Sequence, residues 1–255
     1  MPVRDRLARR MHGRLFYGWV MLGVAMVGQF ASSPGQTYVI SVFLPSLLEE
    51  FGLSRTAISR AYGVGTMLGA FGLTLVGLAL DRYGPRLLIV LSAGALGVVC
   101  FCFPLAGGLG ALYLLFTFQR FWGQGSLTLA CNNLVAQWFE RRRGMALSLM
   151  SVGSAVGQAV FPPVLQLLIL ARGWRFTWIL MGGAVWLLVL PTAWILVVNR
   201  PEDVDQAPDG RSPRPLDSKV DSKMEPDPVG STDFTRGEAL RTWQFWMLSF
   251  ARATN

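Results

Sequence analysis

The sequence predicts an all-α membrane protein, a six-transmembrane-helix bundle, and three observations carry that reading. The 255 residues are 52% hydrophobic and only 15% charged. The apolar residues are gathered into runs: residues 61–80 and 87–119 hold no charged side chain, and each can supply the roughly 20 apolar residues a bilayer span needs. The basic residues collect at the ends of these runs and mostly on one side. Seventeen Lys and Arg fall in the N-terminal tail, the turns after the second and fourth runs and the stretch from Arg200 to Arg241, against Arg55, Arg60, Arg172 and Arg175 on the other side. By the positive-inside rule, both the N-terminus and the 199–239 segment are expected in the cytoplasm.

In order, residues 1–14 form a basic tail with Arg4, Arg6, Arg9, Arg10 and Arg14. The first helix is expected from Leu15 to about Leu44; it lacks a small-residue cleavage site and more spans follow, so it is a retained helix and not a signal peptide. Pro34-Gly35 inside it should kink it or free its backbone carbonyls. Gln29, Ser33 and Gln36 recur at i, i+4 and i+7, one polar stripe on an apolar rod. Such a stripe either hydrogen-bonds a neighbouring helix or lines a hydrated cavity.

The second helix is expected from about Thr56 to Leu80 and the fifth from about Gly144 to Leu170. Gly65 and Gly69 on the one, Gly153 and Gly157 on the other, share a four-residue spacing that lets a partner backbone approach closely. The third helix (about 87–106), the fourth (about 111–138) and the sixth (about 176–198) complete the domain 15–198, and Pro162-Pro163 should kink the fifth. Residues 199–239, rich in Pro, Asp, Ser and Lys, are expected to be a mobile cytoplasmic linker. Residues 240–255 look like the start of a seventh helix too short to span, so the sequence reads as one half of a larger bundle.

Between the second and third helices lies Gly77-Leu78-Ala79-Leu80-Asp81-Arg82-Tyr83-Gly84-Pro85-Arg86. Gly84 suits a positive backbone angle in a tight turn, and Pro85 is preset for the first position of the next helix. Asp81 at a helix C-terminus opposes the macrodipole, so it needs a partner, and Arg82, Arg86 or a helix N-terminus are candidates. These residues resemble the signature loop G-x-x-x-D-R-x-G-x-R of the major facilitator superfamily of transporters. The stretches 35–43, 49–55 and 200–203 resemble its monocarboxylate and oxalate/formate branch. The resemblance implies the N-terminal half of a twelve-helix fold built from 3+3 repeats, a missing C-terminal half as partner, alternating access, and a gating role for Gly77, Asp81, Arg82, Gly84 and Arg86. Gln158 stands where the family's antiporter motif has proline, which weakens a drug-antiporter reading.

Arg120 is the only charge inside a span, about ten residues into the fourth helix. An unpaired cation at that depth costs about 2.5–3.5 kcal/mol even on the lenient insertion scale, so it needs an anion, a polar cavity or backbone carbonyls. Thr117, Gln124 and Thr128 share its face at helical spacing, suggesting a hydrated wall opposite the stripe of Gln29 and Gln36. Either Arg120 grips a substrate carboxylate with its planar fork, with Gln124, Thr128, Gln29 and Gln36 around it, or it is structural. None of the 15 Asp and Glu residues lies inside a span, so a proton-carrying carboxylate is not expected in these helices.

Cys100, Cys102 and Cys131 fall in apolar runs without metal-ligand spacing, and no cofactor motif is present. The net charge of +8 follows membrane topology and forms no nucleic-acid patch. No nucleophile–base pair argues for an enzyme. The function expected is secondary transport of a small organic anion in the cell membrane, with the lipid bilayer as the protein's surroundings. The alternatives are a non-transporting remnant or half-subunit, or a transporter of another small solute or drug.

Overall fold

The computed structural model describes residues 16–204 and 206–210, together with Trp243 alone. The tail 1–14, most of the linker and most of 240–255 lie outside these residues. Among the described residues the chain is helical and contains no strand. It forms six rods. α1 is broken, running as Gly18–Ala31, a 3₁₀ turn Ser33–Gly35, and Thr37–Phe51. α2 (55–83) and α3 (85–102) meet at Gly84, whose φ of 79° and ψ of 166° interrupt an otherwise continuous helix. α4 runs over 109–138, with a π-helical stretch Arg120–Leu127 between its α-helical ends. α5 is Arg143–Arg172 and α6 is Trp174–Leu196.

Among the described residues, three helical stretches, Arg55–Leu105 (which contains the Gly84 break), Arg143–Arg172 and Trp174–Leu196, are long and apolar enough to cross a membrane. Their outer faces are apolar too. Phe71, Leu75, Leu170 and Leu187 are exposed, the arrangement of a bundle whose solvent is hydrocarbon.

Glycines set the packing. A Cβ on Gly65 would press on the Thr117 amide and one on Gly69 on the Phe121 amide, so α2 lies directly against α4. A Cβ on Gly153 would strike the Met26 carbonyl and one on Gly157 the Ser33 hydroxyl, so α5 lies directly against α1. Gly182 of α6 meets the Gly97 carbonyl of α3. Exchanging α1–α3 for α4–α6 therefore carries each of these contacts onto its counterpart.

One end of the bundle is closed by aromatic stacking: Trp178 lies between Phe103 (centroids 3.9 Å apart) and Phe43 (4.6 Å). Arg175 of α6 ties that end to α1, with its Nη2 2.7 Å from Glu50 Oε1. At the opposite, basic end, Trp138 packs against Phe16 and Tyr17.

Helix boundaries differ from the sequence reading in places. α1 continues to Phe51, past the expected Leu44, and stops at Gly52, whose φ is 59°. α5 runs through Pro162 and Pro163 without a non-helical residue. Residues 199–204 and 206–210, at the start of the expected mobile linker, lie at the basic end with two short 3₁₀ turns, Pro201–Val204 and Pro208–Gly210, and Pro201 and Val204 are buried.

Candidate functional site

The site begins with the break in α1. Pro34 has no N–H and Gly35 has no side chain, so the turn Ser33–Gly35 leaves carbonyls that no α-helical ladder uses. Gly35 and Gly123 are in backbone contact, a Cβ on either lying 2.7 Å from the other's Cα. That approach brings the next polar residues of α4 to the freed carbonyls. Gln119, fully buried, donates its Nε2–H to the Pro34 carbonyl. Arg120 donates from Nη1 to the Gly35 carbonyl at 3.1 Å. The guanidinium carbon also sits 5.0 Å from the centre of the Tyr62 ring, and the Tyr62 hydroxyl is 2.8 Å from that of Thr37, at the start of the second half of α1. Three rods thus converge on one cation.

α4 widens into its π-helical stretch at Arg120, where the backbone is free of side chains at Gly123 and Gly125. Such stretches displace side chains from the regular helical register and recur at functional sites. Beside it lies a cavity of about 320 Å³, lined by Thr66, Gly69, Ala70, Arg120, Gln124 and Gly125. The volume suits a small solute. Arg120 Nε has no hydrogen-bond partner among the described residues, and neither has Gln119 Oε1.

The sequence-derived residues separate into groups here. Arg120 and Gln124 share the cavity wall. Thr128 lies beyond it, its hydroxyl pointing to the Gly123 carbonyl at 3.5 Å. Gln29 is buried in the first half of α1, while Gln36, after the break, donates to the Ser32 hydroxyl at 3.3 Å. Neither glutamine lines the cavity. Ser33 accepts from Tyr38 at 2.8 Å and faces Gly157 of α5. The expected stripe is not one surface, because its i, i+4, i+7 spacing assumes a continuous helix and the break falls between Gln29 and Gln36.

At the basic end the signature turn has the backbone its residues suggest, with Gly84 left-handed and Pro85 opening α3. Gly77 has open space around its Cα and lies within α2. Arg86 Nη2 donates to the Trp194 carbonyl at 2.7 Å, and its guanidinium lies 5.0 Å from the Trp194 ring centre. Arg82 stacks near Tyr83 at 5.4 Å. Asp81 is exposed and forms no ion pair among the described residues, so the expected pairing with Arg82 or Arg86 is not made. Arg86 is drawn instead to a helix C-terminal carbonyl. Asp81, Arg82, Gln137, Asn199 and Arg200 surround a polar cavity of about 360 Å³ at this end.

Gln119 and Tyr62 escaped the sequence reading. Gln119 ends an uncharged run and was visible only as its boundary, although a Gln directly preceding a buried Arg is a polar pair in an apolar helix. Tyr62 carries no signal of its own, since its role depends on α2 crossing α4.

The family model of the Major Facilitator Superfamily matches residues 6–254. The chain belongs to the major facilitator superfamily. Among the curated relatives of this superfamily member, the oxalate:formate antiporter of Oxalobacter formigenes is 24% identical over 237 residues, covering 92% of this chain and 51% of that protein. The hexuronate transporter of Escherichia coli (strain K12) is 23% identical over 238 residues, 92% of this chain and 53% of its own length. Monocarboxylate transporter 9 of Mus musculus is 26% identical over 153 residues, 60% of this chain and 30% of its own. The chain spans about half the length of the curated relatives it matches over most of its own length. It is a membrane transporter-family protein and not an enzyme.

Proposed function

We propose that this chain forms one six-helix half of a secondary transporter for a small organic anion, working by alternating access against a second helical half. The observation that carries the reading is Arg120: a guanidinium at mid-helix depth on the wall of a solute-sized cavity, with Nη1 bonded to the Gly35 carbonyl and no carboxylate paired with it among the described residues. A carboxylate meets the edge of a guanidinium with two parallel hydrogen bonds. Gln124 lies on the same wall, and Thr128 one turn away completes the polar character of that face of α4. Gln29 and Gln36 lie on α1 off the cavity wall, so the proposed contacts are those of α4. Relatives named for oxalate, formate, hexuronate and monocarboxylates support the anion class. In this reading the basic end is cytoplasmic in a cell or inner membrane, and Asp81 with Arg82 and Arg86 gates that side.

The contact to Gly35 supports a second reading, in which Arg120 pins the α1 break and binds no solute. The two separate on substrate chemistry. Reconstituted in liposomes with its second half, the protein is expected to exchange radiolabelled small carboxylates and to be inhibited by other carboxylates but not by their neutral amides. Equal inhibition by acid and amide would remove the anion assignment.

A further inference from the structure

At the basic end, three hydrogen-bond acceptors from one short segment reach the starts of three different helices. Asn199 Oδ1 accepts from the Arg86 amide at 3.0 Å, at the beginning of α3. Gln206 Oε1 accepts from the Tyr17 amide at 3.1 Å, immediately before α1. The Asp209 carboxylate accepts from the Arg141 amide at 2.7 Å through Oδ2 and from the Arg142 amide at 3.4 Å through Oδ1, just before α5. These are the three helices whose N-termini lie at this end. Helix N-terminal amides lack intrahelical acceptors, and a side-chain oxygen there is worth most when it is also anionic, as at Asp209.

The end of α6 and the residues leading into the segment are held as well. Trp138 Nε1 donates to the Val198 carbonyl at 3.2 Å, the Tyr17 hydroxyl donates to the Leu196 carbonyl at 2.8 Å, and Pro201 and Val204 are buried. Asp209 has a φ of 60°, a conformation that Asp adopts only as a minority. The spacing is economical: Asn199 is three residues after α6 ends, and Asp209 ten residues further on.

We propose that residues 199–204 and 206–210 act as a clasp, following α6, whose side chains cap α1, α3 and α5 of the same chain and lock the basic ends of the odd-numbered helices into one rigid body. This does not depend on what the cavity holds. A clasp differs from three separate caps because its far end supports its middle. Releasing Asp209 must loosen Gln206 on Tyr17, whereas Asn199, next to α6, stays in place.

Hydrogen–deuterium exchange on the purified chain in lipid nanodiscs reads each amide group in peptides covering residues 17, 86 and 141–142. Asn199→Ala is expected to speed exchange at Arg86 by about fivefold, the usual consequence of a lost cap. Asp209→Ala is expected to speed exchange by a similar factor both at 141–142 and at Tyr17, leaving Arg86 unchanged. Asp209→Asn, which keeps an acceptor oxygen, is expected to restore protection at both places and guards against a variant that simply fails to fold. Acceleration confined to 141–142 in Asp209→Ala would overturn the clasp, as would unchanged exchange at all three sites. Failure of Asp209→Asn to restore protection at Tyr17 would overturn it equally.

Discussion

At the scale of the residue, Gln119 and Arg120 do what a broken membrane helix demands of its neighbour. Carbonyls freed in α1 cannot turn to water in a hydrocarbon core, and leaving one unsatisfied costs about 1–3 kcal/mol. Gln119 serves Pro34 and Arg120 serves Gly35. Replacing Gln119 by Leu keeps the bulk but removes the donor, so the chain should lose about 1–3 kcal/mol of stability. Thermal unfolding in detergent checks this; an unchanged midpoint for Gln119→Leu would mean that the Pro34 carbonyl has another donor. Gly123 is the second test. A methyl group there meets the Gly35 backbone, and Gly123→Ala should cost about 1–3 kcal/mol by overpacking, whereas Gly94→Ala, with open space around it, should cost little.

At the scale of the element, the latch between α1 and α6 at the end away from the signature turn is electrostatic and titrates. Hydrogen bonding and charge from Arg175 hold the Glu50 carboxyl below its ordinary range. A folded-state value below the unfolded one means that the contribution is present above the unfolded value, about 4.3, and is lost as pH falls through the folded one. Because both side chains are in solvent the contribution is small and screened by salt. Glu50→Gln should therefore leave stability at pH 7 almost unchanged and flatten its decline below about pH 4, measured by unfolding midpoints across pH.

The element scale is also where the sequence was most and least legible. Apolar runs between charged turns locate the six rods, and Gly84-Pro85 announces the α2–α3 turn, because membrane burial and left-handed backbone each restrict residue type severely. The break in α1 was visible in Pro34-Gly35. Its consequence for the Gln29–Gln36 stripe was not, because periodicity presumes one continuous axis. The π-helical stretch in α4 has no residue signature beyond its glycines. Asn199, Gln206 and Asp209 looked like linker composition, since capping residues and loop residues are the same types and only their distant amides tell them apart.

At the scale of the whole molecule, the signature loop and the cavity lie in different parts of the bundle, which allows gating and binding to be altered separately. Asp81 is exposed and without an ion pair among the described residues, so its partner is proposed to come from the second half. With both halves present, Asp81→Asn is expected to change the balance of inward-open and outward-open forms, read by cysteine accessibility from each side, while leaving ligand affinity within about twofold. Accessibility unchanged on both sides with affinity lost would move Asp81 from the gate to the site.

The central claim is that Arg120 holds the carboxylate of a small organic anion. Equilibrium binding of a labelled small carboxylate to the protein with both halves present tests it most directly, with wild type, Arg120→Lys and Arg120→Gln compared and folding checked by thermal unfolding. The account predicts that Arg120→Lys binds more weakly, because a point charge replaces the planar fork, and that Arg120→Gln retains its fold and loses binding altogether. A folded Arg120→Gln that binds the carboxylate with unchanged affinity would contradict it and leave Arg120 as the pin of the α1 break alone.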